Sequence, residues 1–517
     1  MENQDELTGL LDDAGLAERH PEAVERARRE TDIYRARLNT SRSLVYDSLS
    51  RMGLEGRSPA LDNEVLALLP QTRELARSAL VADPGSWQAP MLMGMSLYLE
   101  RSLKQDRLLI TDAPAWEKPL RAAVERADGH PETKRLLATA YLETWFALSA
   151  EKKQATLELL TEVFAEDLRS FEALLPVWLS LGLPLEQTFA VVPDRPSAWQ
   201  SLAQGYAAGK RWERFVETHT RYLASLDRKL EEERQEAQMR MRLGDYFRSR
   251  SMFLKILVHA PPSGRFAPTV EKVLEEYPPG LHGLRATGQL QAWLDWILEL
   301  GRLGYQPLKP ELLGRLVDAL GDLEPSKSAL AAILAGDSYQ AERFEKLARP
   351  LNLKTWAPYL IVKARKALAE GDVDTATAAL ADVTLSYRRR PTYAAVNLQL
   401  AKVSGEPKRS AEAEAAWNEV RKDEWSTLEW RWERERALLE LVAERAADAL
   451  ELRIAEAPAD GAVFEVSWNG DSVTTLVVRR AGPVRLKIPV TPGRIHLLEL
   501  RPLAGGHIAP GTVRLLP

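Results

Sequence analysis

Trp199-Gln200-Ser201-Leu202-Ala203-Gln204-Gly205-Tyr206, continued by Phe215, His219 and Tyr222, carries large and small apolar residues at three- and four-residue spacing. That spacing places them on one face of a helix. The same spacings pair two short helices into a hairpin. Pro193-Asp194-Arg195-Pro196 precedes the first helix, and Ser197 with Gln200 has the spacing of a capping box.

Working outward, the same punctuation recurs. Asp83-Pro84-Gly85, Asp128-Gly129-His130-Pro131, Pro261-Pro262-Ser263-Gly264 and Pro278-Pro279-Gly280 each separate runs rich in Leu, Ala, Glu and Arg, which are good helix formers. Lys134, Leu137, Ala138 and Tyr141 repeat the spacing of the first helix. Ala364, Ala367, Ala376, Leu380 and Val383 repeat it around a turn at Gly371-Asp372. Between about 226 and 345 no common register holds.

These three windows resemble the tetratricopeptide repeat, a helical hairpin of about 34 residues. The resemblance implies a mainly α fold, an α/α superhelical solenoid of hairpins in which small residues such as Ala203 and Ala364 are packing points. It also implies a protein or peptide partner on the concave side. The outward places of the first helix fall on Arg135, Gln200, Gln204 and Arg365, beside an apolar seam of Leu142, Ala207 and Leu368. His219 falls where a repeat packs against its neighbour.

The pattern changes near 448. Leu450, Leu452 and Ile454 alternate with Glu451 and Arg453, and Phe464, Val466 and Trp468 with Glu465 and Ser467. Val484, Leu486 and Ile488 do the same, with turns at Asn469-Gly470-Asp471, Gly482-Pro483 and Pro492-Gly493. A two-residue period between turns predicts strands, here a small antiparallel β-sandwich of jelly-roll or immunoglobulin-like type. The expected division is therefore 1–447 helical hairpins and 448–517 all-β. Trp468 shares parity with the core residues Phe464 and Val466. A helix starting near Ser426 would put Leu428, Trp432, Leu439 and Val442 on one face. Trp430, on another face, would dock the β domain onto the helical array. Pro492 to Leu503 resembles the closing strands of small jelly-roll domains attached to bacterial surface-polysaccharide enzymes.

The chemistry sought is not evident in the residue pattern. There is no cysteine, so thiolate metal sites and disulfides are excluded. The seven histidines lack the i, i+4 pairing of a helical metal site. Gly280-Leu281-His282-Gly283 lacks the Lys-Ser/Thr of a phosphate loop, and no Gly-x-Ser-x-Gly occurs. No catalytic residue, metal or cofactor is expected. The net charge of −5 is small and dispersed, which argues against nucleic acid. The charge-dense run from Asp227 to Arg242 reads as a solvated helix. Arg388-Arg389-Arg390-Pro391 reads as an anion patch or a solvated loop.

The acidic start, Met1-Glu2-Asn3-Gln4-Asp5-Glu6, lacks signal-peptide character, and no run is long enough to span a bilayer. The default expectation is a soluble, cytoplasmic, non-catalytic interaction scaffold, a subunit of a protein complex. The alternatives are a carbohydrate-binding or polysaccharide-assembly accessory acting through the β domain, and a structural subunit of a larger membrane-attached or extracytoplasmic assembly held through a partner.

Overall fold

The computed structural model describes residues 35–40, 42–43, 58–104, 114–128, 130–277, 288–320, 324–348, 350–426, 429–433 and 436–516. The break at 278–280, the glycine-rich segment at 280–283 and Leu428 lie outside the described residues. The chain divides into two compact units, Met1–Gly205 and Tyr206–Pro517.

In the first unit, helices Pro59–Ala82 and Gln88–Lys104 form a hairpin, followed by Glu117–Arg126 with Pro131–Glu143 and by Ala150–Glu166 with Leu168–Ser180. Each packs on its successor, and Pro131–Glu143 also touches Gln88–Lys104 and Leu168–Ser180. This is the contact pattern of a hairpin array. The starts of three of these helices are capped by side chains. Ser58 accepts from the Leu61 amide ahead of Pro59, Ser149 from Lys152, and Asp167 from Arg169 and Ser170. Gly94 lets two helices close up, since a Cβ there would lie 2.4 Å from Leu120.

In the window from Lys134 to Tyr141, Leu137, Ala138 and Tyr141 are buried. Tyr141 donates to Glu117 at 2.8 Å, and Lys152 pairs with the same carboxylate at 2.8 Å. Leu142 is also buried completely. The apolar seam expected to lie open at that residue is therefore part of the hairpin core.

The second unit begins with Trp212–Arg242, a helix of 31 residues. Its length explains the lost register: it runs through the place where a standard hairpin would turn. Tyr246–His259, Ala267–Glu276, Gly288–Leu303, Pro310–Leu320, Pro325–Ala335, Ser338–Leu347, Ala357–Ala369, Val373–Ala381, Pro391–Ser404 and Pro407–Val420 continue the helical part. Gly371 takes φ +80 at its turn, and Asp372 caps the next helix through the Thr375 amide at 3.0 Å. Ala364, Ala367, Ala376, Leu380 and Val383 are all buried, as the repeat spacing predicts. Ala364→Leu should overpack this joint and cost about 1–3 kcal/mol, read as a lower urea midpoint at unchanged slope.

Strands begin at Arg421, ahead of the change expected at 448. They are β1 (Arg421–Lys422), β2 (Glu424–Trp425), β3 (Arg431–Glu433), β4 (Arg436–Ala443), β5 (Leu450–Glu456), β6 (Ala462–Trp468), β7 (Asp471–Val478), β8 (Gly482–Leu486), β9 (Ile495–Gly505) and β10 (Ala509–Leu515). One sheet runs β1-β4-β9-β6-β7 with β3 beside β4, and the other β2-β10-β5-β8. All neighbours are antiparallel except the pair β1–β4.

The helix expected from Ser426 is corrected to strands β3 and β4. From Ala437 onward every residue of β4 is buried, on both faces of the sheet. A strand covered on both sides loses its polar alternation, so Ala437-Leu438-Leu439-Glu440-Leu441-Val442-Ala443 reads as helix. Ala437, Leu439 and Leu441 join the sandwich core with Phe464, Val466, Trp468 and Leu498. Leu438, Ile495 and Leu497 face the other way and join the core of the helices. The sheet thus packs along several helices, Trp212–Arg242 against β6 and β7, Gly288–Leu303 against β9 and Pro391–Ser404 against β4.

Candidate functional site

Helix Gly288–Leu303 lies between neighbouring helices and the sheet. Trp293, Leu294, Trp296, Ile297, Leu298 and Leu300 are all buried, so the helix is covered almost all round. Its last turn carries Glu299 and Arg302 against the sheet. Arg302, 1% exposed, lies 2.7 Å from Glu440 of β4 and 2.5 Å from Glu299, and donates to Thr392 Oγ1 at 3.2 Å. Thr392 donates in turn to Glu440 at 2.9 Å. Arg431 of β3 pairs with Glu299 and reaches the Tyr387 hydroxyl at 3.4 Å. Arg390, stacked on Tyr387, lies 3.4 Å from Glu440.

Burial alone would push both carboxyls up. It pushes Glu299 up, but Arg302 and Arg431 outweigh it and hold the group at about 2. Glu440 is likewise raised by burial and drawn below its ordinary value by the same two guanidinium groups. Further along the sheet, Glu499 sits 3.0 Å from Arg501 and 3.5 Å from Arg436.

Beside this network a cavity of about 820 Å³ opens to solvent. Its charged lining is Arg302, Lys327, Arg431, Arg436 and Arg501 against Asp295 and Glu299, with Trp296, Trp356, Pro262, Pro358 and Pro502 as apolar walls. Lys327 pairs with Asp295 at 2.8 Å. The volume falls within the range of small-ligand pockets, about 300–1,000 Å³. Among the described residues no cluster of His, Asp or Glu is arranged to hold a metal ion.

The residues expected to line a partner surface are dispersed. Arg135, Gln200 and Gln204 are exposed in the first unit. Arg365 is turned inward and donates to the Arg302 carbonyl oxygen at 2.8 Å, which corrects its expected place on an open face. Leu368 packs against the same core. Burial, then the charge of Arg302, draws the Arg365 guanidinium below its ordinary value.

Trp430 lies on the sandwich. Its indole donates to the Gly511 carbonyl at 3.0 Å and packs on the sandwich core. The joint with the helices is made elsewhere. Trp212 donates to the Asp460 carbonyl at 2.8 Å, Tyr305 to Ile495 at 3.0 Å, and Gly264 to Gly470 at 3.0 Å. Trp468 is in the sandwich core, stacked on His496 with ring centroids 4.7 Å apart. Among the described residues, Trp432 is the exposed tryptophan of the strand region, so no row of coplanar aromatics faces outward. His219, half-buried between Phe215 and Tyr222, is lowered by burial to about 4. Arg388 closes a helix end on the Val383 and Ala381 carbonyls at 2.9 and 2.7 Å.

Sequence reasoning missed Arg302, Arg431, Arg436 and Arg501. The available signal was an acid in the middle of each long apolar strand, Glu440 and Glu499, where a buried charge demands a partner.

No protein-family model and no curated protein sequence matches the chain. Among solved structures, a circular tandem repeat protein with novel repeat topology is 14% identical, with a TM-score of 0.22 over 75% of this chain and 95% of that one. Naa15/Naa10 bound to HypK is 15% identical, with a TM-score of 0.17 over 76% and 68%. Yeast Tom70 is 11% identical, with a TM-score of 0.14 over 76% and 96%. At these scores the likeness adds no weight, and the fold rests on the hairpins and strands themselves. By those elements the chain is a helical-repeat protein of tetratricopeptide-like hairpins with a C-terminal antiparallel β-sandwich.

Proposed function

We propose that this protein is a non-catalytic interaction scaffold that holds an acidic segment of a partner protein in the cavity between helix Gly288–Leu303 and strands β3, β4 and β9. The observation that carries this reading is the lining: five cationic side chains against two acidic ones, beside two tryptophans. Arginines held in place by buried carboxylates are preorganised donors for a further carboxylate. The indole and proline walls supply apolar contact for neighbouring side chains. The exposed Arg135, Gln200 and Gln204 of the first unit are retained as a second contact for the same partner.

The test uses fluorescein-labelled peptides in which glutamate alternates with leucine, followed by anisotropy. The chain should bind them, and Lys327→Gln with Arg436→Gln should weaken binding about tenfold or more. Affinity purification from the native cell with the same variants then reads the natural partner. No peptide binding, or binding undiminished in the double variant, removes the cavity from this role. Loss on Arg135→Glu with Gln204→Glu alone transfers the contact to the first unit.

A further inference from the structure

Helix Trp212–Arg242 ends, and Tyr246–His259 begins, at a turn whose apolar side chains face water. Phe247 is 84% exposed, Leu243 73%, Tyr246 63% and Met239 50%. Single exposed apolar residues need no explanation, but four within one short turn do. The turn is well formed. Gly244 takes φ +79, and the Leu243 amide donates to Met239 and the Asp245 amide to Arg240 at 3.1 and 2.9 Å. Asp245 then caps the following helix through the Arg248 amide at 3.3 Å.

The same segment is basic. From Met239 to Arg250 it holds Arg240, Arg242, Arg248 and Arg250 with one acid, Asp245. Arg240 also pairs with Glu236 at 3.3 Å and Arg250 donates to the Tyr277 hydroxyl at 3.0 Å, so the exposed arginines are Arg242 and Arg248. Asp245 is shared between Arg240 at 3.9 Å and Arg248 at 3.7 Å. The chain's net charge of −5 does not cancel this locally, since charges beyond about 8–10 Å are screened at physiological salt.

We infer that the turn around Leu243–Phe247 is a peripheral contact for an anionic lipid bilayer. The apolar side chains enter the headgroup boundary, and the arginines extend to lipid phosphates with their stems along the apolar surface. Such high exposure favours a bilayer over a folded protein. Side chains this open have no surrounding wall for a partner to interlock with, whereas a fluid interface needs only a projecting apolar tip and a basic collar. Among the described residues no helix is long and apolar enough to cross a membrane, so the contact is one of surface attachment.

Flotation of the full chain tests this, using vesicles of pure phosphatidylcholine and vesicles in which about one third is phosphatidylglycerol. The wild-type chain should float with the anionic vesicles only. Leu243→Ser with Phe247→Ser should lower the floated fraction about tenfold or more. Arg242→Glu with Arg248→Glu should do the same on anionic vesicles. All four side chains are exposed, so thermal denaturation of both variants should match wild type. No flotation of the wild-type chain, or equal flotation of the variants, overturns the inference. So does binding to immobilised polyglutamate without flotation, which would assign the turn to an acidic protein.

Discussion

Arg302→Ala should destabilise the chain by about 3–5 kcal/mol, because removing one partner of a buried ion pair strands the others. Arg302 is the group on which Glu299, Glu440 and Thr392 converge. The effect should appear in urea denaturation, with limited proteolysis near the helix–sheet joint rising in parallel. The pH dependence distinguishes this cause from simple loss of packing. In the wild type Glu299 is held at about 2 against an ordinary 4.5. A depressed carboxylate stabilises fully above its unfolded value and loses that contribution as pH falls toward the folded one. Wild-type stability from this group should therefore persist to pH 4.5 and decline between there and about pH 2. In the variant, burial acts on carboxylates deprived of their main counter-ion and pushes their values up. Protonation then relieves the penalty, so the deficit against wild type should narrow as pH falls through the carboxylate range. A deficit constant with pH would mean that the ion network is not its source.

Gly470→Val should cost about 2–5 kcal/mol, combining backbone strain with overpacking. Gly470 takes φ +94, and a Cβ there would stand 2.5 Å from Leu300 and 3.1 Å from Trp296. Its carbonyl also accepts from the Gly264 amide at 3.0 Å, so the turn between β6 and β7 is pinned to the helices and cannot move away. Gly493, with φ +71 and open space around it, separates the two costs. Gly493→Ala should lose only the strain, about 1–2 kcal/mol. Thermal denaturation of the two variants should show the difference, and near-ultraviolet circular dichroism should report disturbed tryptophan packing in the first alone. Equal losses would refute the docking role of Gly470.

How far the site could be read from the chain depends on the distance between its parts. Asn469-Gly470-Asp471 is recognisable as a turn because Asn and Gly tolerate positive φ locally. That this turn presses on Trp296 and Leu300 is a contact between distant segments, with no local trace. Arg365 falls at a repeat place expected to be open. Its direction changed because the end of helix Gly288–Leu303 lies against that face and offers the Arg302 carbonyl oxygen to its guanidinium. Arg390 lay in a run read as an anion patch or a solvated loop. It takes part in an internal network because Glu440, far along the chain, arrives beside it.

The order of residues alone determined the helical hairpins, their caps and glycine turns, the small residues at their joints, and the alternating strands from Leu450 onward. Each is set by interactions a few residues apart, whose periodicity a linear reading recovers. Tertiary structure decided that Arg436–Ala443 is a strand, that the sheet lies along several helices, and that Arg302, Glu440, Glu499 and Arg501 meet beside a cavity. Periodicity tells which side of an element avoids water. It does not tell what covers that side, and a strand covered on both sides loses the period by which it would be known.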